Sequence, residues 1–177
     1  NHFKPDIFLV NWGGTFYPET ITKISKQFKV TTINWLVDFP GAPGVLETAI
    51  KVVPAYDYFF AQSTDALEVH ARHGSRGGMW LNAACDPNIH KPLDLSEEEK
   101  AKYGSDICFV GSMYPERAEL FETLTDFDIG IWGPGWDQLD TASPLKKYVR
   151  GGIVTPDTWV KIYNASKMVI NYMGHYG

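Results

Sequence analysis

The sequence is poor in cysteine and in long apolar runs. Its 177 residues include only two cysteines, Cys85 and Cys108, and each lies in or at the end of an apolar run. We therefore expect two buried thiols in a reducing compartment, rather than a disulfide framework or a metal site. No segment approaches the roughly 18–20 consecutive apolar residues that span a bilayer. The first residues carry no secretion signal, so we expect a cytoplasmic protein with no transmembrane segment.

Clustered positive charge and the common nucleotide fingerprints are also missing. The formal net charge is -5, and no cluster of Lys or Arg is longer than a pair, which argues against a nucleic acid partner. Gly13 and Gly14 match neither the Gly-x-Gly-x-x-Gly pattern nor the phosphate loop, so nicotinamide cofactors and ATP hydrolysis are disfavoured. His70, His73 and His90 have no partners at metal-ligand spacing, so we expect no metal.

Short runs of β-branched and aromatic residues alternate with stretches of helical spacing, and this alternation is typical of βα units in a mostly parallel sheet. The predicted class is α/β. Strands are predicted at 6–11, 30–37, 58–61, 78–82, 106–110, 128–132, 152–154 and 168–172. Helices are predicted at 17–27, 44–53, 64–73, 116–125 and 156–165.

The rhythm of strands and helices is interrupted between residues 86 and 104, where Pro87 and Pro92 precede an acidic stretch after Ser96. We place an N-terminal domain at 1–88, a linker at 89–105 and a C-terminal domain at 106–177. Two Rossmann-like domains facing each other across a cleft would bind ligands at the carboxyl ends of their strands. The sequence has no initiator methionine and both ends lie beside strands, so we expect a fragment with both domains incomplete.

Three motifs in the second half carry a family resemblance. Residues 109–117 read Phe-Val-Gly-Ser-Met-Tyr-Pro-Glu-Arg, residues 131–136 read Ile-Trp-Gly-Pro-Gly-Trp, and residues 162–171 read Ile-Tyr-Asn-Ala-Ser-Lys-Met-Val-Ile-Asn. In this order and spacing they resemble the CgeB-like (spore maturation protein) glycosyltransferases of the GT-B type. The resemblance covers about the last seventy residues well, and the first hundred loosely, through residues 36–40 and 82–87.

The resemblance implies transfer of a sugar from a nucleotide-diphosphate sugar to an acceptor hydroxyl, with no metal or other cofactor. It assigns contacts with the donor diphosphate to Ser112 and Arg117. Gly111 at a strand tip lets backbone approach a ligand, and the next helix presents free N–H groups. Alternatively, Gly111 only permits the turn, and Arg117 pairs with Glu116 or Glu119 on a solvated helix face.

Two further segments are implied in donor binding. Gly133, Gly135 and Trp136 form a turn that places a flat ring where a nucleobase or ribose could lie, although this tryptophan could equally plug a domain edge. Tyr163 and Lys167 lie in the segment that shapes the nucleotide pocket in the family. Alternatively, the tyrosine belongs to the core and the lysine is favoured near a helix C-terminus by the dipole alone.

A candidate base comes from the first half. Asp38 follows a predicted strand and could accept the acceptor's proton, or it could cap the turn. The loop with Gly13 and Gly14 would approach the cleft from the opposite wall, and the family's ribose-binding Glu would lie beyond residue 177. A nucleotide-sugar epimerase and a non-catalytic binding module for sugars or nucleotides are the alternative functions.

Overall fold

The computed structural model describes residues 4–12, 16–37 and 50–172. The chain forms two compact units, of which the first extends to Ala84 and the second begins at Cys85. Each unit contains its own four-stranded parallel sheet. The α/β class predicted from the alternation of strands and helices is therefore confirmed.

The first unit has a sheet whose strands follow chain order. Its strands are β1 (Ile7–Asn11), β2 (Thr31–Leu36), β3 (Tyr58–Ala61) and β4 (Gly78–Trp80). Its helices are α1 (Pro18–Phe28) and α2 (Thr64–Arg72), with a 3-10 turn at Val53–Ala55. Ser63 caps α2, accepting a hydrogen bond from the backbone N–H of Ala66. Most of the predicted helix at 44–53 lies outside the described residues.

The two faces of this first sheet differ. One face packs through Val10, Leu36 and Phe59 against side chains that include Ile21 of α1 and Ala66 of α2. Right-handed crossovers between strands in chain order place all their connections on a single face. On the other face Ile7, Leu9, Tyr58 and Met79 are about half exposed. Ile7, Tyr58 and Met79 line an apolar groove of 490 Å³ on this face.

A buried histidine lies under the covered face of the first sheet. The ring of His70 stacks on Phe59 with centroids 3.8 Å apart, and its Nδ1–H donates to the Ala66 carbonyl at 2.5 Å. The other ring nitrogen, Nε2, is buried and has no hydrogen-bond partner among the described residues. Burial lowers the pKa of His70 because a proton on Nε2 would place an unpaired positive charge in the core.

The second unit contains the remaining helices and strands. Its helices are α3 (Glu97–Tyr103), α4 (Pro115–Glu122) and α5 (Pro156–Ala165), with 3-10 turns at Trp136–Gln138 and Pro144–Tyr148. Its strands are β5 (Ile107–Val110), β6 (Ile129–Trp132), β7 (Val149–Gly151) and β8 (Met168–Val169), in the order β7-β6-β5-β8.

This order makes the second sheet doubly covered. From β5 to β7 the chain moves one way across the sheet, and through α5 it returns past β6 and β5 to reach β8. Right-handed crossovers in opposite directions lie on opposite faces. Accordingly, Phe121 of α4 packs in one cluster with Phe109 and Ile131, whereas Ile162 of α5 packs in another with Cys108. The order is that of the first four strands of a Rossmann fold.

Some details differ from the sequence expectations. The strand predicted at 152–154 is β7, at Val149–Gly151, because Val149 packs on the core while Ile153 is 84% exposed. Cys108 is buried as expected, but Cys85 is exposed, so the expectation of two buried thiols is wrong for Cys85. Each helix of the described ranges is too short or too polar to cross a membrane.

The segment placed between the domains by sequence has regular structure of its own. Ser96 and Glu99 form a capping box at the start of α3, and Glu99 pairs with Lys161 of α5 at 2.7 Å. Asn164 of α5 accepts from the Leu93 N–H at 2.9 Å and donates to the Lys91 carbonyl at 3.2 Å. Residues 91–103 are therefore attached to α5 within the second unit.

Candidate functional site

The strand order of the second unit indicates one edge as a binding site. Strands β5 and β8 are neighbours. The helix that follows β5 and the helix that precedes β8 pack on opposite faces of the sheet. In open α/β sheets, ligands bind outside the carboxyl ends of strands at such a switch point. The candidate site therefore consists of residues 111–117, which follow β5, and residues 170–172, which follow β8.

The loop after β5 is held against the loop after β6. A Cβ at Gly133 would lie only 2.0 Å from the Gly111 carbonyl oxygen, and Gly133 has a φ of +136°. The Met113 N–H donates to the Pro134 carbonyl at 2.9 Å. Gly135 also has a positive φ, of 86°. Gly133 is needed for this approach of backbone to backbone, and the left-handed conformation of Gly135 favours glycine.

Trp136 lies in the core, contrary to the expectation that its ring faces a nucleobase. Its side chain is 1% exposed, and it packs edge-on to Phe109 and tilted against Phe121. Its indole N–H donates to the Gly111 carbonyl at 2.8 Å. Both faces of the ring are thus unavailable to a ligand, and the ring packs inside the second unit.

Arg117 connects the two segments of the candidate site. Its Nε donates to the Tyr172 carbonyl at 3.0 Å and its Nη1 to the Ser112 carbonyl at 2.7 Å. The guanidinium also lies over the rings of Phe109 and Tyr114, at 5.1 and 4.7 Å from their centroids. The remaining group, Nη2, makes no hydrogen bond with a described residue.

The charge of Arg117 is not neutralised by any acidic side chain that the structure describes. The other three arginines, Arg72, Arg76 and Arg150, each form an ion pair. Arg117 forms no ion pair within the described ranges. The alternative prediction, that it pairs with Glu116 or Glu119, is therefore wrong. A positive charge that is held in place but not paired is suited to an anionic ligand.

Backbone donors lie beside this charge. The Ser112 N–H bonds no described residue, and no side chain in the described part of the chain caps the first turn of α4. Pro115 lies at the start of α4, which is the usual place for proline in a helix, and it has no N–H of its own. The N–H groups of Arg117 and Ala118 donate to the Tyr114 carbonyl at 3.0 and 3.1 Å. The Glu116 N–H and the positive end of the helix dipole are therefore available to an anion.

Lys167 lies at the opposite edge of the sheet from this site. It precedes β8, and its Nζ pairs with Asp106, which precedes β5, at 2.6 Å. This hydrogen bond lowers the pKa of Asp106 and raises the pKa of Lys167. A strand of four residues separates the edges by about 13 Å, so the expected role of Lys167 in donor binding is not supported.

Tyr163 lies on α5, among the residues that cover the second sheet. It packs beside Cys108 and Trp132 and meets the ring of Trp159 edge-on, and burial raises its pKa. It lines a cavity of 270 Å³ together with residues 90–92. The alternative of a core tyrosine therefore describes it better than contact with a donor at the switch point.

Side chains bond to backbone carbonyls at the carboxyl edge of the first sheet. The indole N–H of Trp35 donates to the Leu81 carbonyl at 3.1 Å, and that of Trp80 donates to the Gln62 carbonyl at 2.9 Å. Gln62 in turn donates to the Val37 carbonyl at 2.8 Å. Trp12 adopts a φ of 73° at the end of β1, which is uncommon for a bulky residue and marks a sharp change of direction.

Three expected site residues lie outside the described residues, namely Asp38, Gly13 and Gly14. Their predicted roles as base and cleft loop stay predictions. In the described ranges no group of three or more His, Cys, Asp or Glu side chains is arranged to hold a metal ion.

Sequence reasoning missed the partners that define the site. The carbonyls of Tyr172, Ser112 and Pro134 are backbone groups, so no residue type indicates them. The sequence indicated Trp136 only as part of a Gly-rich turn, not as a donor to a backbone carbonyl.

The chain matches no model of a known protein family, and no curated protein shows significant similarity to it.

Proposed function

We propose that this protein is part of a GT-B-type glycosyltransferase of the CgeB-like kind, which transfers a sugar from a nucleotide-diphosphate sugar to an acceptor hydroxyl. The observation that carries the proposal is Arg117. Its guanidinium links the two loops of a Rossmann switch point and has no acidic partner among the described residues. The three motifs of the resemblance supply the reaction type.

The diphosphate is the group that these residues would bind. As the bond between the anomeric carbon and the phosphate oxygen breaks, negative charge grows on the leaving nucleotide diphosphate. The Ser112 N–H, the first turn of α4 and the Arg117 charge are fixed before the reaction, so they would stabilise that charge without reorganisation. In this proposal no metal is required for the leaving group.

The acceptor oxygen forms the new bond to the anomeric carbon, and its proton passes to a base. Asp38 stays the sequence-based candidate for that base, on a domain that would face the donor site across a cleft. The nucleobase must be held by groups other than the ring of Trp136, because that ring is enclosed by Phe109 and Phe121.

Calorimetric titration with UDP, GDP and UDP-sugars tests the proposal directly. Replacing Arg117 with Met removes a charge-assisted contact, and such contacts contribute about 1.5–3 kcal/mol. We expect a loss of affinity of about tenfold or more, while Lys167→Ala, at the opposite sheet edge, leaves the affinity unchanged. If no nucleotide diphosphate bound the wild-type protein at millimolar concentration, the proposal would be wrong.

A further inference from the structure

The peptide between Gly111 and Ser112 has two ends with different surroundings. Its carbonyl accepts the indole N–H of Trp136 at 2.8 Å and lies against Gly133 of the loop after β6. Its N–H bonds no described residue. In a trans peptide the carbonyl and the N–H point in opposite directions, so a carbonyl directed towards β6 directs the N–H towards β8.

The hydrogen bonds along β5 support this direction. The Gly111 N–H donates to the Trp132 carbonyl of β6, whereas the Cys108 carbonyl accepts from the Ile170 N–H after β8. Successive residues of a strand thus alternate between its two neighbours, and Ser112 falls on the β8 side. The Ser112 carbonyl confirms this assignment, because it accepts from Arg117, which also bonds the Tyr172 carbonyl.

We propose that Trp136 is a positioning residue that directs the Ser112 N–H into the switch point, where it binds a phosphate oxygen of the donor. This inference rests on the proposed function. The sequence predicted that the ring of Trp136 contacts a nucleobase or ribose. In this inference Trp136 instead acts on the donor indirectly, through its hydrogen bond to the Gly111 carbonyl. The ring is well suited to this role because packing against Phe109 and Phe121 fixes its position.

A purely structural tryptophan would need only its apolar ring. Any rotation of the Gly111–Ser112 peptide would move the carbonyl off the indole N–H and turn the Ser112 N–H away from the β8 side. The indole N–H therefore selects one of the orientations that this glycine-containing peptide would otherwise sample. Loss of the N–H with retention of the ring should separate positioning from packing.

The test compares two replacements of Trp136 with a matched control. Trp136→Phe removes the indole N–H, and incorporation of 3-benzothienylalanine at position 136 removes it while keeping the bicyclic shape. Trp132→Phe is the control, because Trp132 is equally buried at the end of β6 but its side chain packs on the opposite face. Binding of UDP, pyrophosphate and uridine is measured by calorimetry for each protein.

We expect both position-136 variants to bind UDP and pyrophosphate about three- to tenfold more weakly, the equivalent of one hydrogen bond. Uridine has no phosphate, so its affinity should not change, and the Trp132→Phe protein should bind all three ligands as the wild type does. Equal affinity for UDP in wild type and the benzothienylalanine protein would overturn the positioning role alone. Failure of the wild type to bind UDP or pyrophosphate would overturn the proposed function, and the inference with it.

Amide NMR gives a readout that packing does not control. In the wild type, pyrophosphate should shift the Ser112 amide proton, and this shift should be smaller in the benzothienylalanine protein at equal saturation. If pyrophosphate shifted the Ser112 amide proton of that protein as much as that of the wild type, the inference would be contradicted even if the affinity were lower.

Discussion

A methyl group at Gly133 tests the contact between the two loops of the candidate site most directly. In Gly133→Ala the new Cβ would lie 2.0 Å from the Gly111 carbonyl oxygen and 2.6 Å from its carbonyl carbon. Both neighbours are backbone atoms, so no flexible side chain can move aside. Since carbon and oxygen approach to about 3.3 Å at closest, the loops would separate by roughly 1.3 Å.

The magnitude follows from what this separation breaks. The bonds from Trp136 to the Gly111 carbonyl and from Met113 to the Pro134 carbonyl, at 2.8 and 2.9 Å, would exceed hydrogen-bond length. Each contributes about 0.5–1.5 kcal/mol. Backbone strain at a φ of +136° adds about 1–3 kcal/mol for an alanine. We therefore expect the free energy of unfolding of the second unit to fall by about 2–6 kcal/mol.

The assay is urea unfolding in which hydrogen exchange of peptides from residues 106–172 is the readout. This readout reports the second unit separately from the first. Gly152→Ala is the control, because a Cβ there meets nothing within 4 Å, and its effect should stay within about 0.5 kcal/mol. If both substitutions changed the stability by the same small amount, the close approach of the loops after β5 and β6 would be refuted.

Two further predictions concern a pH dependence and a tether. The pKa of His70 is lowered in the folded state, so the contribution of His70 to stability should be complete above its unfolded-state pKa near 6.5 and should fall as the pH drops below that value. Urea unfolding at several pH values checks this, and His70→Gln should remove this pH dependence. Asn164→Ala removes both side-chain bonds to residues 91 and 93, so exchange of the Leu93 amide should accelerate about fivefold or more, whereas unchanged exchange would mean that these bonds do not hold the segment.

The fold class was predictable because the strands carry a local signal. β5 and β6 are buried apolar runs. The ends of β3 and β6 lie at their predicted positions or one residue away. β7 was misplaced because Ile153 and Val154 look like strand residues, whereas Val149 pairs with the neighbouring strand and Ile153 faces solvent. Burial and pairing are decided by contacts with other segments, which a short window of sequence does not contain.

The candidate site was predictable in part. Gly111, Ser112, Arg117 and Gly133 lie together at one edge, as expected from strands that end in glycine and are followed by helices. Lys167 was assigned to the same site by its motif, but it precedes β8 rather than following it, and it pairs with Asp106. A motif close to a site along the chain can lie a whole strand length away from it in space.

The residue types and their local order determined the parallel α/β architecture, the caps of the helices and the glycine-rich turns. Only the tertiary structure decided the order β7-β6-β5-β8, the burial of Trp136 and the backbone partners of Arg117. The physical reason is that propensities, caps and turns depend on neighbours along the chain. Strand order and the direction of one peptide N–H depend on contacts between segments far apart in the chain, such as Trp136 with Gly111 and Arg117 with Tyr172.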